Sequence, residues 1–216
     1  MAQVAILGLS NFGYYLALRL SELGSEVMVV DNDRTRVDKI KPYVSSAVIA
    51  DATDKRALGK LGLENMDVVV ISLGEKLEAS ILSAFYLKEM KVKRIIAKAL
   101  SEDHARILEK IGVDRVVFPE RDSGYKEAPL IHRAGIVQYV QMEKGLSILE
   151  MKPLEEMVGK TIRQLDFRKK YRCQILAIRI NDEYQLPDPD QKIEKDHILT
   201  LLGKDLDLEA LQKKKG

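Results

Sequence analysis

The chain has 216 residues, 46% hydrophobic and 31% charged, which is room for one large domain or two small ones and an ordinary globular composition. Lys and Arg total 35 against 33 Asp and Glu, and a net charge of +2 excludes the broad basic surface of a general nucleic-acid or acidic-lipid binder. The single cysteine, Cys173, excludes a disulfide framework and a multi-cysteine zinc site, and no apolar run reaches membrane-spanning length. The opening lacks a basic n-region, with Arg19 as its first charge, so it reads as folded chain and not as an export signal. A cytosolic protein is expected, one that meets a membrane only through a partner.

Residues 3–7 form a short apolar run closed by Gly8, followed by a helical pattern in Phe12, Leu16, Leu20 and Leu23, with Gly24 as its stop. A second strand, 26–30, ends at Asp31, and a charged amphipathic stretch runs through Ile40 to Lys41-Pro42. Strand 47–50 leads to Asp51-Ala52-Thr53-Asp54, where Thr53 or Asp54 can cap a helix over 55–61. Strand 67–71, helix 76–90, strand 94–98, helix 101–111 and strand 114–118 complete the first half. Short apolar strands alternating with helices predict an α/β fold, a six-stranded, doubly wound, Rossmann-like parallel sheet with strand carboxyl ends on one edge.

The alternation stops at Pro119. Residues 122–141, with Ala128, Ile131, Ile136 and Val140 at helical spacing, predict one crossover helix interrupted at Pro129 and Gly135. Beyond it come strand 146–151, a helix over about 161–171, strand 173–180, a turn at Asn181-Asp182, strands 184–186 and 197–202, and a helical tail. This is a small α+β unit whose core is marginal alone, so pairing with a second copy is expected. The predicted division is 1–121, a crossover helix 122–141, and 142–216.

The first loop, Gly8-Leu9-Ser10-Asn11-Phe12-Gly13, matches G-x-G-x-x-G at its outer glycines and has serine at the middle one. Gly8 permits the tight turn, Gly13 permits close helix–strand packing, and the helix N-terminus offers free N–H groups to an anion. Asp31, 18 residues after Gly13, ends strand two, where an acid accepts ribose hydroxyls and repels a 2′-phosphate; it reads alternatively as a helix cap in Asp31-Asn32-Asp33. Asp51, Ala52 and Thr53 follow strand three, and Ser72 and Gly74 follow strand four, on the same edge. Lys98 ends strand five, as a phosphate-neutralising cation or a plain surface lysine. Glu120 follows strand six, as a cation-holding carboxylate or part of a hinge.

No acid/base set stands out: His104 sits in a helix-start pattern, His132 and His197 are scattered, and Tyr15 has no lysine four residues on. A binding module is therefore expected instead of an enzyme, with a free-standing NAD(H)-dependent oxidoreductase as the alternative. A redox-sensing transcriptional repressor lacks a helix-turn-helix segment here.

The succession Gly8–Gly13, Val30-Asp31, Ala50–Thr53, Ile71–Gly74, Ala97-Lys98 and Phe118–Gly124 resembles the RCK (KTN) domain of KtrA/TrkA-type regulators of potassium transport. Gly159–Ile162, Leu165–Arg168, Tyr171 and the run 175–180 resemble the RCK C-terminal domain, so the likeness spans nearly the whole chain. The resemblance implies a non-enzymatic, cytoplasmic gating subunit, in octameric or tetrameric rings of dimers, docked under a membrane potassium-translocating subunit of the KtrB/TrkH kind. ATP, ADP or NAD(H) would be held by Gly8, Ser10, Asn11, Phe12 and Gly13, with Asp31 and Asn32 at the ribose. Asp51, Ala52, Thr53, Ser72 and Gly74 would surround the adenosine, Lys98 would meet phosphate, and Glu120 would meet phosphates with Mg2+ across a dimer. Ser10 and Asn11 depart from the Gly-Arg pair usual there, which removes a guanidinium from the terminal phosphate. Cyclic di-AMP is a further implied ligand, at Phe167, Arg168, Gln174 and Ile175; their plainer reading is an amphipathic helix with a solvated arginine and a core phenylalanine.

Overall fold

The computed structural model describes residues 1–132, 136–142 and 145–213. They form two compact units, 1–119 and 120–216. The first holds six strands, β1 (Gln3–Leu7), β2 (Glu26–Asp31), β3 (Ser46–Ile49), β4 (Val68–Ile71), β5 (Ile95–Lys98) and β6 (Arg115–Val117). They pair in parallel in the order β3-β2-β1-β4-β5-β6. The intervening helices are α1 (Asn11–Glu22), α2 (Arg34–Ile40), α3 (Lys55–Leu58), α4 (Leu77–Glu89) and α5 (Glu102–Ile111).

Alternation along the strands builds two apolar layers. Val4 and Ile6 pack with Val27, Val29, Val37 and Ile40 on the face of α1 and α2. Ala5 and Leu7 pack with Val30, Leu58, Ile71, Leu87 and Leu108 on the face of α3, α4 and α5. A strand buried on both faces needs this near-continuous apolar run. Asp54 caps α3, accepting from the Arg56 and Ala57 N–H groups, and Asp33 caps α2, accepting from Thr35 and Arg36. Asp31 is therefore not the capping residue.

The second unit corrects two expectations. The helix predicted over 122–141 is α6, Pro119–His132, and Ile136–Gln141 is instead a strand, β7; residues 133–135, with Gly135, lie outside the described residues. The run Ile136-Val137-Gln138-Tyr139-Val140 is β-branched and aromatic, and pairing with β8 (Leu146–Met151) decides the matter, with Tyr139 opposite Leu149 and Val140 opposite Ile148.

Strands β9 (Gln174–Ile180), β10 (Glu183–Gln185) and β11 (Ile198–Lys204) complete an antiparallel sheet ordered β10-β9-β11-β8-β7. The helix predicted over 161–171 is two short ones, α7 (Ile162–Leu165) and α8 (Phe167–Tyr171), separated by Asp166 at φ +41°. Thr161 and Gln164 form a reciprocal capping box on α7.

The tail is α9, Asp205–Lys213. Leu149, Met151, Ile175, Ile178, Leu199, Leu201 and Leu208 form the core of this unit. Gly203 makes room for Cys173, since a Cβ there would stand 2.7 Å from the sulfur. His197 and Glu194 close a turn, the Glu194 N–H donating to His197 Nδ1 at 3.1 Å.

Candidate functional site

The turn after β1 is fixed by close approach. Gly8, at φ +94°, donates its N–H to the Val30 carbonyl at 2.7 Å, and a Cβ on it would stand 2.7 Å from the Ser72 carbonyl carbon and 2.8 Å from Leu73 Cα. A Cβ on Gly13 would overlap the Gly8 carbonyl oxygen and come within 3.0 Å of Ser72 Cβ. The outer glycines are thus demanded by the junction of β1, α1 and β4. Ser10 has ordinary extended geometry at φ −60°, ψ 168°, where no glycine is needed. Its hydroxyl does not cap α1 but lies 2.5 Å from the Ser72 hydroxyl. The first turn of α1 therefore keeps N–H groups without a side-chain cap, beside the strand ends, as an anion site requires.

Asp31 is 7% exposed and ties two loops together. Its Oδ2 accepts the Leu9 N–H at 2.6 Å and its Oδ1 accepts the Asp33 N–H at 2.8 Å. Each oxygen retains a lone pair for a further donor. The Arg36 guanidinium touches the same two residues, with Nη1 3.5 Å from the Leu9 carbonyl oxygen and Nε 3.4 Å from Asp33 Oδ2. At the end of β3, Asp51 accepts both the backbone N–H and the hydroxyl of Thr53, at 2.8 and 2.7 Å. The Thr53 N–H and hydroxyl, with the nearby Lys76 charge, hold the Asp51 carboxyl below its ordinary range.

These groups surround a cleft of about 390 Å³ at the carboxyl ends of β1, β2, β3 and β4. Of the residues expected at the site, Ser10, Asp31, Asn32, Asp51, Ala52, Thr53 and Ser72 line it. Gly8 and Gly13 are not lining residues but pack against Ser72, which is, while Asn11, exposed, and Phe12, half-buried, lie in the first turn of α1. Gly74 sits at φ +68° with open space where a Cβ would be. Lys98, half-buried at the end of β5, is not a lining residue, and Glu120 is exposed in the first turn of α6, in the second unit. The sequence reading missed Arg36, Lys76, Asp33, Leu73 and Ala79, which also line the cleft. The available signal was spacing: Arg36 lies five residues past Asp31, and Lys76 immediately before α4.

The second set divides. Phe167 is 5% exposed and packs on Tyr171 with ring centroids 4.8 Å apart, and Ile175 is 2% exposed. Both belong to the core, so Phe167 is not a surface for a base. Arg168 stays exposed and donates to Gln174 Oε1, while Gln174 Nε2 donates to the Ile175 carbonyl at 2.8 Å.

A parallel sheet in the order 3-2-1-4-5-6, a glycine turn that a side chain would fill, and an acid closing β2 define a Rossmann-type domain, here followed by a small antiparallel α+β domain. Residues 4–119 match the TrkA-N domain and residues 146–216 the TrkA-C domain. The Ktr system potassium uptake proteins C and A of Bacillus subtilis (strain 168) are 36% and 34% identical to this chain, over 98% and 97% of it and 96% and 95% of their own lengths. The chain belongs to the TrkA-N/TrkA-C family of Ktr and Trk potassium uptake proteins, as its resemblance to RCK regulators implied. In fold it is similar to the solved GsuK channel bound to NAD (TM-score 0.67, 19% identity), covering 100% of this chain and 39% of that one. No helix among the described residues is long and apolar enough to cross a membrane.

Proposed function

We propose that this chain is the cytoplasmic regulatory subunit of a membrane potassium-translocating partner, and that ATP, ADP or NAD(H) bound in the cleft sets the partner's activity. The observation that carries this reading is the clasped Asp31 carboxylate beside the glycine turn, with a lone pair on each oxygen for the two ribose hydroxyls. The first turn of α1, with no side-chain cap, suits the phosphates. Lys98 and Glu120, the latter with Mg2+, are assigned to the phosphates by family resemblance.

Assembly into a ring is favoured by apolar side chains left at the surface of α4 and α5: Phe85 is 49% exposed and Ile107 42%. A nucleotide shifts such an assembly only by binding one shape better than the other, and coupling of about 1–3 kcal/mol per site is typical. The exposed Arg168–Gln174 pair is the part of the second set that remains suited to a phosphate of cyclic di-AMP.

Calorimetric titration of the purified chain with ATP, ADP, NAD and NADH tests the reading. Asp31→Ala should weaken every adenosine ligand at least tenfold. Unchanged affinity in that variant would move the site elsewhere. Arg168→Ala should affect cyclic di-AMP alone.

A further inference from the structure

We infer that the cleft accepts a 2′-phosphorylated adenosine, as in NADP(H), and that Arg36 is the specificity-determining residue that receives the 2′-phosphate. This rests on the reading of the cleft as an adenosine site, and it reverses the expectation drawn from Asp31 alone.

An acid at the end of β2 rejects a 2′-phosphate by like charge, and by occupying the place where the phosphate would sit. The first ground is weakened here. Each oxygen of Asp31 already accepts a backbone N–H, from Leu9 at 2.6 Å and from Asp33 at 2.8 Å, and the residue is 7% exposed. The two N–H groups offset part of its charge, while Asp31 itself still lines the cleft.

A cation stands at the same place. The Arg36 guanidinium contacts the Leu9 carbonyl and the Asp33 carboxylate, the two residues that clasp Asp31, so it lies alongside the ribose-accepting group. Those contacts, at 3.5 and 3.4 Å, are long for a guanidinium, and the Arg36 side chain is 54% exposed. A phosphate offers it shorter, paired, charge-assisted bonds, for which a planar fork is the best-matched side chain. The Asp31 carboxylate for hydroxyls and the Arg36 guanidinium for a phosphate, exchanged from Asp33, thus share one rim, and the cleft serves both forms of the dinucleotide.

The test is fluorescence titration of the full chain with NADH and NADPH, supported by ADP and adenosine 2′,5′-bisphosphate as probes without nicotinamide. In the natural chain the 2′-phosphate should weaken binding by less than tenfold. Arg36→Leu should weaken NADPH at least tenfold more than it weakens NADH, and Arg36→Lys should recover part of the NADPH affinity. A natural chain that binds NADH more than a hundredfold tighter than NADPH overturns the inference and leaves the nucleotide reading intact. So does an Arg36→Leu variant that weakens both ligands equally. If none of the four ligands binds, the nucleotide reading falls and this inference with it.

Discussion

Ser10 and Ser72 meet hydroxyl to hydroxyl, their Oγ atoms 2.5 Å apart, joining the glycine turn to the end of β4. The serine in place of the middle glycine is thus part of the frame. Ser72 is fully buried, so Ser10→Ala leaves its hydroxyl without this partner, at a cost of about 1–3 kcal/mol. The double variant Ser10→Ala/Ser72→Ala should return close to the natural stability, because both polar groups are gone. Native-state hydrogen exchange of the β1 amides measures the cycle, and strictly additive losses would contradict it.

The glycines of the site should differ sharply in their tolerance. Gly13→Ala drives a Cβ into the Gly8 carbonyl and should cost about 1–3 kcal/mol, as overpacking of a tight junction does. Gly8→Ala should cost more, since a positive φ and a backbone clash act together. Gly74→Ala, with the same sign of φ but open space around it, should cost only about 1 kcal/mol. The three midpoints in urea give the order.

Acid should loosen the first unit through His104. The residue is 1% exposed, its Nδ1 accepts the Leu100 N–H at 3.3 Å, and burial pushes its pKa below the ordinary 6.5. Just below pH 6.5 the unfolded chain takes up a proton that the folded chain refuses. Stability is therefore full above that pH and falls as pH drops toward the folded value, by at most about 1.4 kcal/mol per pH unit. Exchange protection of α5 amides between pH 7.5 and 5 should show this slope, and His104→Gln should flatten it.

Cys173 should report on the second core. Desolvation first, and the Asp207 charge second, push its thiol up to about 11, and its Sγ donates to the Tyr171 carbonyl at 3.1 Å. At pH 8 a disulfide reagent should label the native chain at least a hundredfold more slowly than the urea-unfolded chain. Comparable rates would mean that the core around Gly203 and Leu208 opens freely.

The first sheet was legible because its strands are apolar on both faces and each ends in punctuation, as Leu7-Gly8 and Val30-Asp31 do. The site's frame was legible for the same reason, since glycine and aspartate there answer backbone needs. β7 was not, because Ile136 and Val140 satisfy helical spacing and strand composition at once, and only pairing with β8 separates the two. Arg36 and Lys76 were missed because an exposed cation at a helix start looks alike whether it faces solvent or a cleft. Phe167 in the core beside a solvated Arg168 was legible as the plainer reading of that stretch, whereas the break at Asp166 that makes two short helices was not.

The interlock of Gly8, Gly13 and Ser72 leaves the glycine turn no slack: its backbones already stand where even one methyl group would not fit. A ligand placed there would meet closely packed backbone on this side. On the reading proposed above, a ligand's signal starts instead at the lip where Lys76 lines the cleft and leads into α4, with open space around Gly74 two residues before it. That lip feeds the helix whose Phe85 stands at the surface, which gives a ligand-driven displacement a short route outward.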